Sequence, residues 1–239
     1  FENLFYQAWR IREKVLDMIE MTTGGRVIFS VNKVGGVIKD ITPEMQAKIL
    51  DDLKEVEAET KRIATTFLND YSVKSRLCGV GILTKQQMID LGCTGPFARA
   101  SGLNNDIRLR GYEAYKDLDL EPCISTDGDC YARCDVRIQE IFQSIDLIRQ
   151  ACAKIPAGDI AVPVKGNPNG EAFVRLEQPR GEAVYYVKAN GTPHIDRFRL
   201  RTPTFANLMG LCEMLKNTEL ADVGILAVTI DPCISCTER

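Results

Sequence analysis

The stretch TPEMQAKILDDLKEVEAETKRIATTF, residues 42–67, decides the fold class. Thr42 offers a side-chain cap and Pro43 sits where a first helical turn tolerates a missing N–H. Behind them Met45, Ile49, Leu53, Val56, Thr60, Ile63 and Phe67 recur at three- and four-residue steps, a 3.6-residue period held for about seven turns. A helix of that length with one apolar stripe suits a bundle. Working outward, 84–91 predicts a short helix closed by Gly92, and 134–154 a second long one with Ile141, Ile145, Ile148, Cys152 and Ile155 as its stripe. From Ile160 to Leu200 the pattern changes to short strands, 172–176, 183–188 and 195–200, with turns at 167–170 and 189–191. A last helix is expected from about Pro203 to Lys216. The fold class is mainly α with a β insert (α+β). No repeat, low-complexity tract or linker is visible, so the reading is one domain, 1–239: helical over 1–158 with a glycine-rich hairpin near 24–40, β-rich over 159–201, and a C-terminal helix and cysteine motif over 202–239.

Composition narrows the function. The formal net charge of −3 argues against a nucleic-acid or bilayer-surface partner. No run of about 18 apolar residues is present, so direct membrane insertion is not expected. Glu2, Arg10, Arg12, Glu13 and Lys14 interrupt any signal-peptide pattern at the start. The nine cysteines, an odd number, read as thiols rather than a disulfide framework.

Two of those thiols carry the sharpest chemistry. Asp231-Pro232-Cys233-Ile234-Ser235-Cys236-Thr237-Glu238-Arg239 places Cys233 and Cys236 three residues apart behind a rigid Asp-Pro. A tight turn or first helical turn brings such residues to one side, where two thiolates can face one soft metal. A redox pair, half of a zinc site or two unrelated core cysteines fit the same spacing. Cys123, Cys130 and Cys134 could together make a three-sulfur cluster site, although turn chemistry at 127–129 and the helix that follows favour a structural reading. His194 reads as a surface or edge histidine.

The ending DPCxxCxxR resembles the C-terminal metal motif of nickel-iron hydrogenase large subunits, in particular the membrane-bound, energy-converting type related to the large subunit of respiratory complex I. Further matches follow in order. They are a Trp9–Glu13 helix before Gly24-Gly25-Arg26, Asn32, Gly35-Gly36-Val37 and Asp40; Thr94-Gly95-Pro96, Ala98–Gly102 and Asp106-Ile107-Arg108; Gly128–Arg133 with Arg137 and Glu140; Glu177-x-Pro179-Arg180-Gly181-Glu182; and Arg201-Thr202-Pro203-Thr204-x-x-Asn207. The resemblance implies a helix-bundle core of that large-subunit type. It also implies a nickel-iron centre whose iron carries cyanide and carbon monoxide, with Cys233 a terminal nickel ligand and proton acceptor and Cys236 a bridging ligand. Heterolytic cleavage of dihydrogen needs such an electron-rich metal and a nearby base. Arg180 and Thr204 match the donors to the cyanide nitrogens, Pro179 shapes the turn that aims Arg180, and Asp231 matches that arginine's carboxylate partner.

Each of these has a plainer alternative. Arg180 alone is a solvated hairpin arginine, and Thr204 is equally a helix N-cap candidate. Arg99, Asp106 and Arg108 fit structural ion pairs or a proton or quinone-like pathway.

The implied activity is reversible hydrogen oxidation and proton reduction coupled to ferredoxin. The implied partners are an iron-sulfur small subunit, which would hold the only iron-sulfur cluster, and other hydrogenase subunits including membrane proteins, with ferredoxin reached indirectly. The expected location is cytoplasmic, peripheral on the inner face of the cell membrane. A second reading is a non-catalytic coupling subunit with a quinone-pocket role and no metal centre, and a third is a folded remnant binding zinc through the C-x-x-C. The family's second cysteine pair, in R-x-C-G-x-C, has no counterpart here, so the chain is expected to be the C-terminal two-thirds of such a large subunit. Catalysis is not expected if these residues are the whole protein. Arg239 as last residue matches the processed end of the mature family chains.

Overall fold

A computed structural model describes residues 2–238. The helices and strands follow in the order α1 (Glu2–Thr23), β1 (Asn32–Lys33), β2 (Gly36–Val37), α2 (Pro43–Asn69), α3 (Tyr71–Leu77), α4 (Lys85–Asp90), α5 (Gly95–Arg99), α6 (Cys130–Lys154), β3 (Asn169–Gln178), β4 (Gly181–Asn190), β5 (Ile195–Arg201), α7 (Pro203–Met214), α8 (Leu220–Thr229) and α9 (Ile234–Thr237). Ile107–Arg110 and Glu113–Asp117 form 3-10 turns between α5 and α6. This is the expected α+β mixture. Arg239 lies outside the described residues, as does any reading attached to it.

The chain divides into two compact units, and neither is continuous in sequence. The first takes the chain up to Asn69 with Ser144–Gly166; the second takes Asp70–Gln143 and the chain from Asn167 onward. One boundary falls inside the continuous α6, where no composition shift marks it, which is why the sequence offers no linker and reads as one domain.

In the first unit the apolar stripe of α2 behaves as its period predicts. Ile49, Leu53 and Val56 are buried with Met18 of α1 and Ile145, and Cys152 packs against them. The Thr42 hydroxyl caps α2 by accepting from the Met45 N–H at 3.3 Å. The glycine-rich segment forms the expected hairpin, β1 antiparallel to β2, and Gly36 bridges Ala161. Any side chain on Gly36 would collide with the Ile160 carbonyl oxygen.

In the second unit Leu83, Met88, Cys93, Phe97, Ala98, Cys130, Met214, Leu226 and Ile230 make the main core. Thr84 and Gln87 cap α4 reciprocally, and Gly92 beyond its end has φ +66. The strands pair in the order β3-β4-β5, all antiparallel, with an irregularity at Lys188/Ala189. Gln178 pairs Gly181, so Pro179-Arg180 is a two-residue hairpin loop.

Some sequence expectations need correction. Helix α6 starts one turn before Cys134, because the Asp129 carboxylate accepts from the Ala132 N–H at 2.8 Å and caps it earlier. Its expected stripe is broken: Ile141 and Ile148 are exposed, and Ile155 lies beyond the helix end, while Val136 and Leu147 are buried instead. Residues 169–170 and 189–190 pair in the β3-β4 ladder rather than forming turns. Helix α7 stops at Met214 rather than Lys216. Helix α8 is an addition to the expected elements, since its β-branched run around Gly224 carries no helical period.

Candidate functional site

Three segments of the second unit, the end of α8, the start of α7 and the β3-β4 hairpin loop, meet at the C-terminal cysteine turn. Helix α8 ends at Thr229, and Asp231 then takes φ +55, a left-handed conformation that aspartate tolerates better than most residues. This reversal, followed by Pro232, turns the chain into α9. There the Cys236 N–H donates to the Cys233 carbonyl at 2.9 Å, and the Thr237 hydroxyl donates to the same oxygen at 2.9 Å. The turn brings the two thiols close enough that each influences the other's titration. The Cys233 sulfur also lies 3.1 Å from the Ser235 hydroxyl.

Helix α7 and the residue that caps it hold this turn. The Thr204 hydroxyl accepts from the Cys233 N–H at 3.2 Å, and the Thr202 hydroxyl donates to the Cys236 carbonyl. Thr202, not Thr204, occupies the N-cap position of α7. Thr204 is buried and accepts from the cysteine turn, so the N-cap position its sequence context allowed falls to Thr202 instead.

The hairpin loop supplies the cation. Arg180 Nε donates to the Asp231 carbonyl at 2.9 Å and lies 3.3 Å from its carboxylate. The expected Arg180–Asp231 partnership is present, but the pair is not deeply buried: the Arg180 side chain retains 36% of its exposure and Asp231 retains 42%. Pro179, at the first position of the loop, is exposed and serves its backbone geometry.

The electrostatics separate the two thiols. Hydrogen bonds from Ser235 and Cys236, with Arg180's charge adding, pull the Cys233 thiol down to about 7. Burial and the neighbouring Cys233 push the Cys236 thiol up. One sulfur of the pair is therefore a thiolate near neutral pH, the form that attacks electrophiles and ligates metals.

Around this site lie groups that no motif in the sequence assigns to it. Arg137, one helical turn beyond Arg133, keeps a buried Nε without a hydrogen-bond partner, and its charge neighbours include Asp231 and Arg180. Burial lowers its affinity for a proton. Ser235, Thr202 and Thr237 also shape the turn. Ser235 and Thr237 are signalled only as short hydroxyl residues in and beside the C-x-x-C segment, and Thr202 only by its place in the Arg201–Asn207 stretch.

A second charged cluster stands on α5, the 3-10 turn, α6 and β3. Arg99 is buried and meets Glu140 at 2.7 Å, Glu177 at 2.8 Å and Asp106 at 3.6 Å. Arg108 grips Asp106 through two nitrogens and reaches Gln143 at 3.3 Å. Burial pushes the Glu177 carboxyl up, while Arg108 and Arg99 hold Asp106 below its usual range against its own burial. Arg99, Asp106 and Arg108 thus form ion pairs, the plainer of their two expected roles.

Other sequence candidates do not join the site. Cys123, Cys130 and Cys134 have thiols raised by burial, and among the described residues no three His, Cys, Asp or Glu side chains group as a metal site. The Cys130 sulfur instead meets the Thr229 hydroxyl at 3.6 Å. His194 is exposed at the turn before β5.

Comparison with known proteins shows the class to which this α+β chain belongs. Residues 2–167 and 163–239 match the family described as respiratory-chain NADH dehydrogenase, 49 Kd subunit, and the chain belongs to that family. It is 35% identical over 257 residues to the membrane-bound hydrogenase subunit alpha of Pyrococcus furiosus, covering 100% of this chain and 60% of that one. It is 36% identical to the carbon monoxide-induced hydrogenase of Rhodospirillum rubrum, covering 100% of this chain and 67% of that one. It is 34% identical to an NADH-quinone oxidoreductase subunit of Thermosipho melanesiensis, covering 95% of this chain and 65% of that one. The chain thus spans about two thirds or less of the length of these relatives. Among the described residues no helix is long and apolar enough to cross a membrane.

Proposed function

We propose that the chain belongs to the catalytic large subunit of an energy-converting nickel-iron hydrogenase and supplies half of its metal-binding thiolates. The observation that carries this reading is the placement of Cys233 and Cys236 on one turn, held by Thr204 and Thr202, with the Arg180–Asp231 pair beside it. Lining a quinone pocket does not by itself call for two thiols three residues apart.

The donor set fits one half of a four-thiolate centre, since two thiols stand three residues apart on one turn. Cys233 and Cys236 would hold the metals. A nickel-iron group, when bound, supplies the soft, electron-rich metal that hydrogen cleavage requires. The protein's own residues do the rest. The Cys233 sulfur would be the proton acceptor beside the metal. Arg180 meets Asp231 through Nε, and among the described residues its Nη donors have no hydrogen-bond partner, so these donors could pair with anionic ligands at the iron. Thr204 fixes the Cys233 backbone, and Pro179 sets the hairpin loop.

On this reading the partners are an iron-sulfur small subunit, which carries the iron-sulfur cluster, and further hydrogenase subunits including membrane proteins. Electrons pass to or from ferredoxin through that small subunit. The location is the inner face of the cell membrane, held there by the partner subunits.

A second reading, a non-catalytic coupling subunit with a quinone-pocket role, is favoured by the 34% identity to an NADH-quinone oxidoreductase component, almost equal to that of the hydrogenases. Nickel and iron analysis of the natively purified complex separates the two. Stoichiometric nickel that is lost in Cys236→Ser supports the hydrogenase, and a nickel-free, intact complex supports the coupling role.

A further inference from the structure

The Arg180 loop is the tip of a two-residue hairpin, and a hairpin tip is ordinarily mobile. Here it is fixed from two directions. Behind it stands the start of α5, where Gly95 has φ +71 and any side chain would strike the Arg180 carbonyl oxygen. A Cβ on Gly181 would likewise lie 2.6 Å from the Thr94 hydroxyl. Asn207 of α7 clamps this backing by accepting from the Thr94 N–H at 2.8 Å and donating to the Thr94 carbonyl at 3.3 Å.

The second restraint is Glu177, three residues before Arg180. One of its carboxylate oxygens lies 2.8 Å from Arg99 Nη1, and the other accepts from the Ile107 N–H at 3.3 Å. Its own N–H donates to the Tyr112 hydroxyl at 3.1 Å. Both side chain and backbone of this residue are therefore tied, on the strand that leads directly into the loop. Glu177 and Arg99 are 3% and 1% exposed, so water offers neither a substitute partner.

We propose that Glu177, held by buried Arg99, is the positioning residue that aims Arg180 at the Cys233–Cys236 turn. The inference rests on the proposed role of Arg180 but not on any metal. The path runs from Arg99 to Glu177, along the end of β3 to Arg180 Nε, and from there to the Asp231 carbonyl at the start of the cysteine turn. It gives the ion cluster a task beyond stability, which is to transmit the rigidity of the core to an arginine that is itself one-third exposed.

Hydrogen-deuterium exchange read by mass spectrometry tests this on the protein in its natural complex. The amides to follow are those of Asp231, Cys233 and Cys236, each hydrogen-bonded in this turn. In Glu177→Gln their exchange should quicken about tenfold, as expected for loss of one charge-assisted hydrogen bond. In an Arg180→Ala background the same Glu177→Gln change should add nothing, because the path is already cut at its last link. Unchanged exchange in Glu177→Gln, or an equal increase in both backgrounds, overturns the proposal. If Glu177→Gln also releases the amides of residues 130–137, the whole unit has loosened; Tyr112→Phe, which removes one neutral hydrogen bond, then decides by the same comparison. Nickel content reports separately on the hydrogenase reading, so failure of one is distinguishable from failure of the other.

Discussion

Two arginine-carboxylate sites in the same unit are built from the same chemistry and do opposite things. Around Arg99, three carboxylates and a second arginine are shut away from water, with Arg99 and Asp106 side chains 1% and 0% exposed. At Arg180, a single aspartate is shared with solvent, the two side chains keeping 36% and 42% of their exposure. A buried pair resists disruption because removing one partner strands a charge in a poor dielectric. An open pair contributes little to stability and leaves its donors available. On the proposed function, rigidity lies in one cluster and chemistry in the other, joined by the short run from Glu177 to Arg180.

The largest expected effect lies at the buried end. Arg99→Ala removes one cation from among three carboxylates and should cost about 3–5 kcal/mol. The check is chemical denaturation of the variant against the parent. A loss below about 1 kcal/mol would mean water enters the cluster and the comparison fails.

Gly95→Ala should follow. A left-handed φ costs a non-glycine residue about 1–3 kcal/mol, and the Cβ would also push on the Arg180 carbonyl. Reduced thermal stability together with faster alkylation of the cysteines is expected. Stability loss with no change at the cysteines would show that the hairpin tip is not seated on α5.

Thr204→Val leaves the Cys233 N–H without its acceptor and should cost about 1 kcal/mol. Arg180→Lys should cost less than about 1 kcal/mol, since the pair is open. Hydrogen turnover should nevertheless fall sharply with that variant, because an ammonium is a point charge where the guanidinium is a planar fork. Retained turnover would give Arg180 a structural role only and erase the contrast.

Thiol chemistry gives the smallest and finest test. Alkylation of Cys233 in metal-free protein should rise through about pH 7, where its thiol loses its proton, whereas Cys236, pushed upward, should react only at higher pH. The sign follows from the thiolate being the reactive form. Peptide mass spectrometry across a pH series from acid to alkaline separates the two sites, and equal profiles would mean the turn does not differentiate them.

What can be read from the sequence is what periodicity and local turn chemistry determine. The stripe of α2, the Thr84 cap with Gly92, the Pro179-Arg180 hairpin and the glycine-rich β1-β2 hairpin all follow from residues close in the chain. The convergence of Arg180 with Asp231, and of Thr204 with Cys233, is legible only through resemblance, because the partners lie 51 and 29 residues apart. Illegible features have non-local causes. Ile141 and Ile148 fit a helical stripe yet are exposed, since the face that is covered depends on what packs there. Helix α8 is hidden because Val223, Ile225 and Val228 favour strands in isolation. The partners of Arg99 come from three separate elements, so no local pattern announces its cluster.

The central claim is that the Cys233–Cys236 turn is half of a nickel-iron site. Nickel-edge X-ray absorption of the natively purified complex tests it most directly. The account predicts stoichiometric nickel with sulfur neighbours at thiolate distance, and loss of that sulfur scattering in Cys233→Ser. An intact complex that contains no nickel, with Cys233 and Cys236 both freely alkylated, would contradict it.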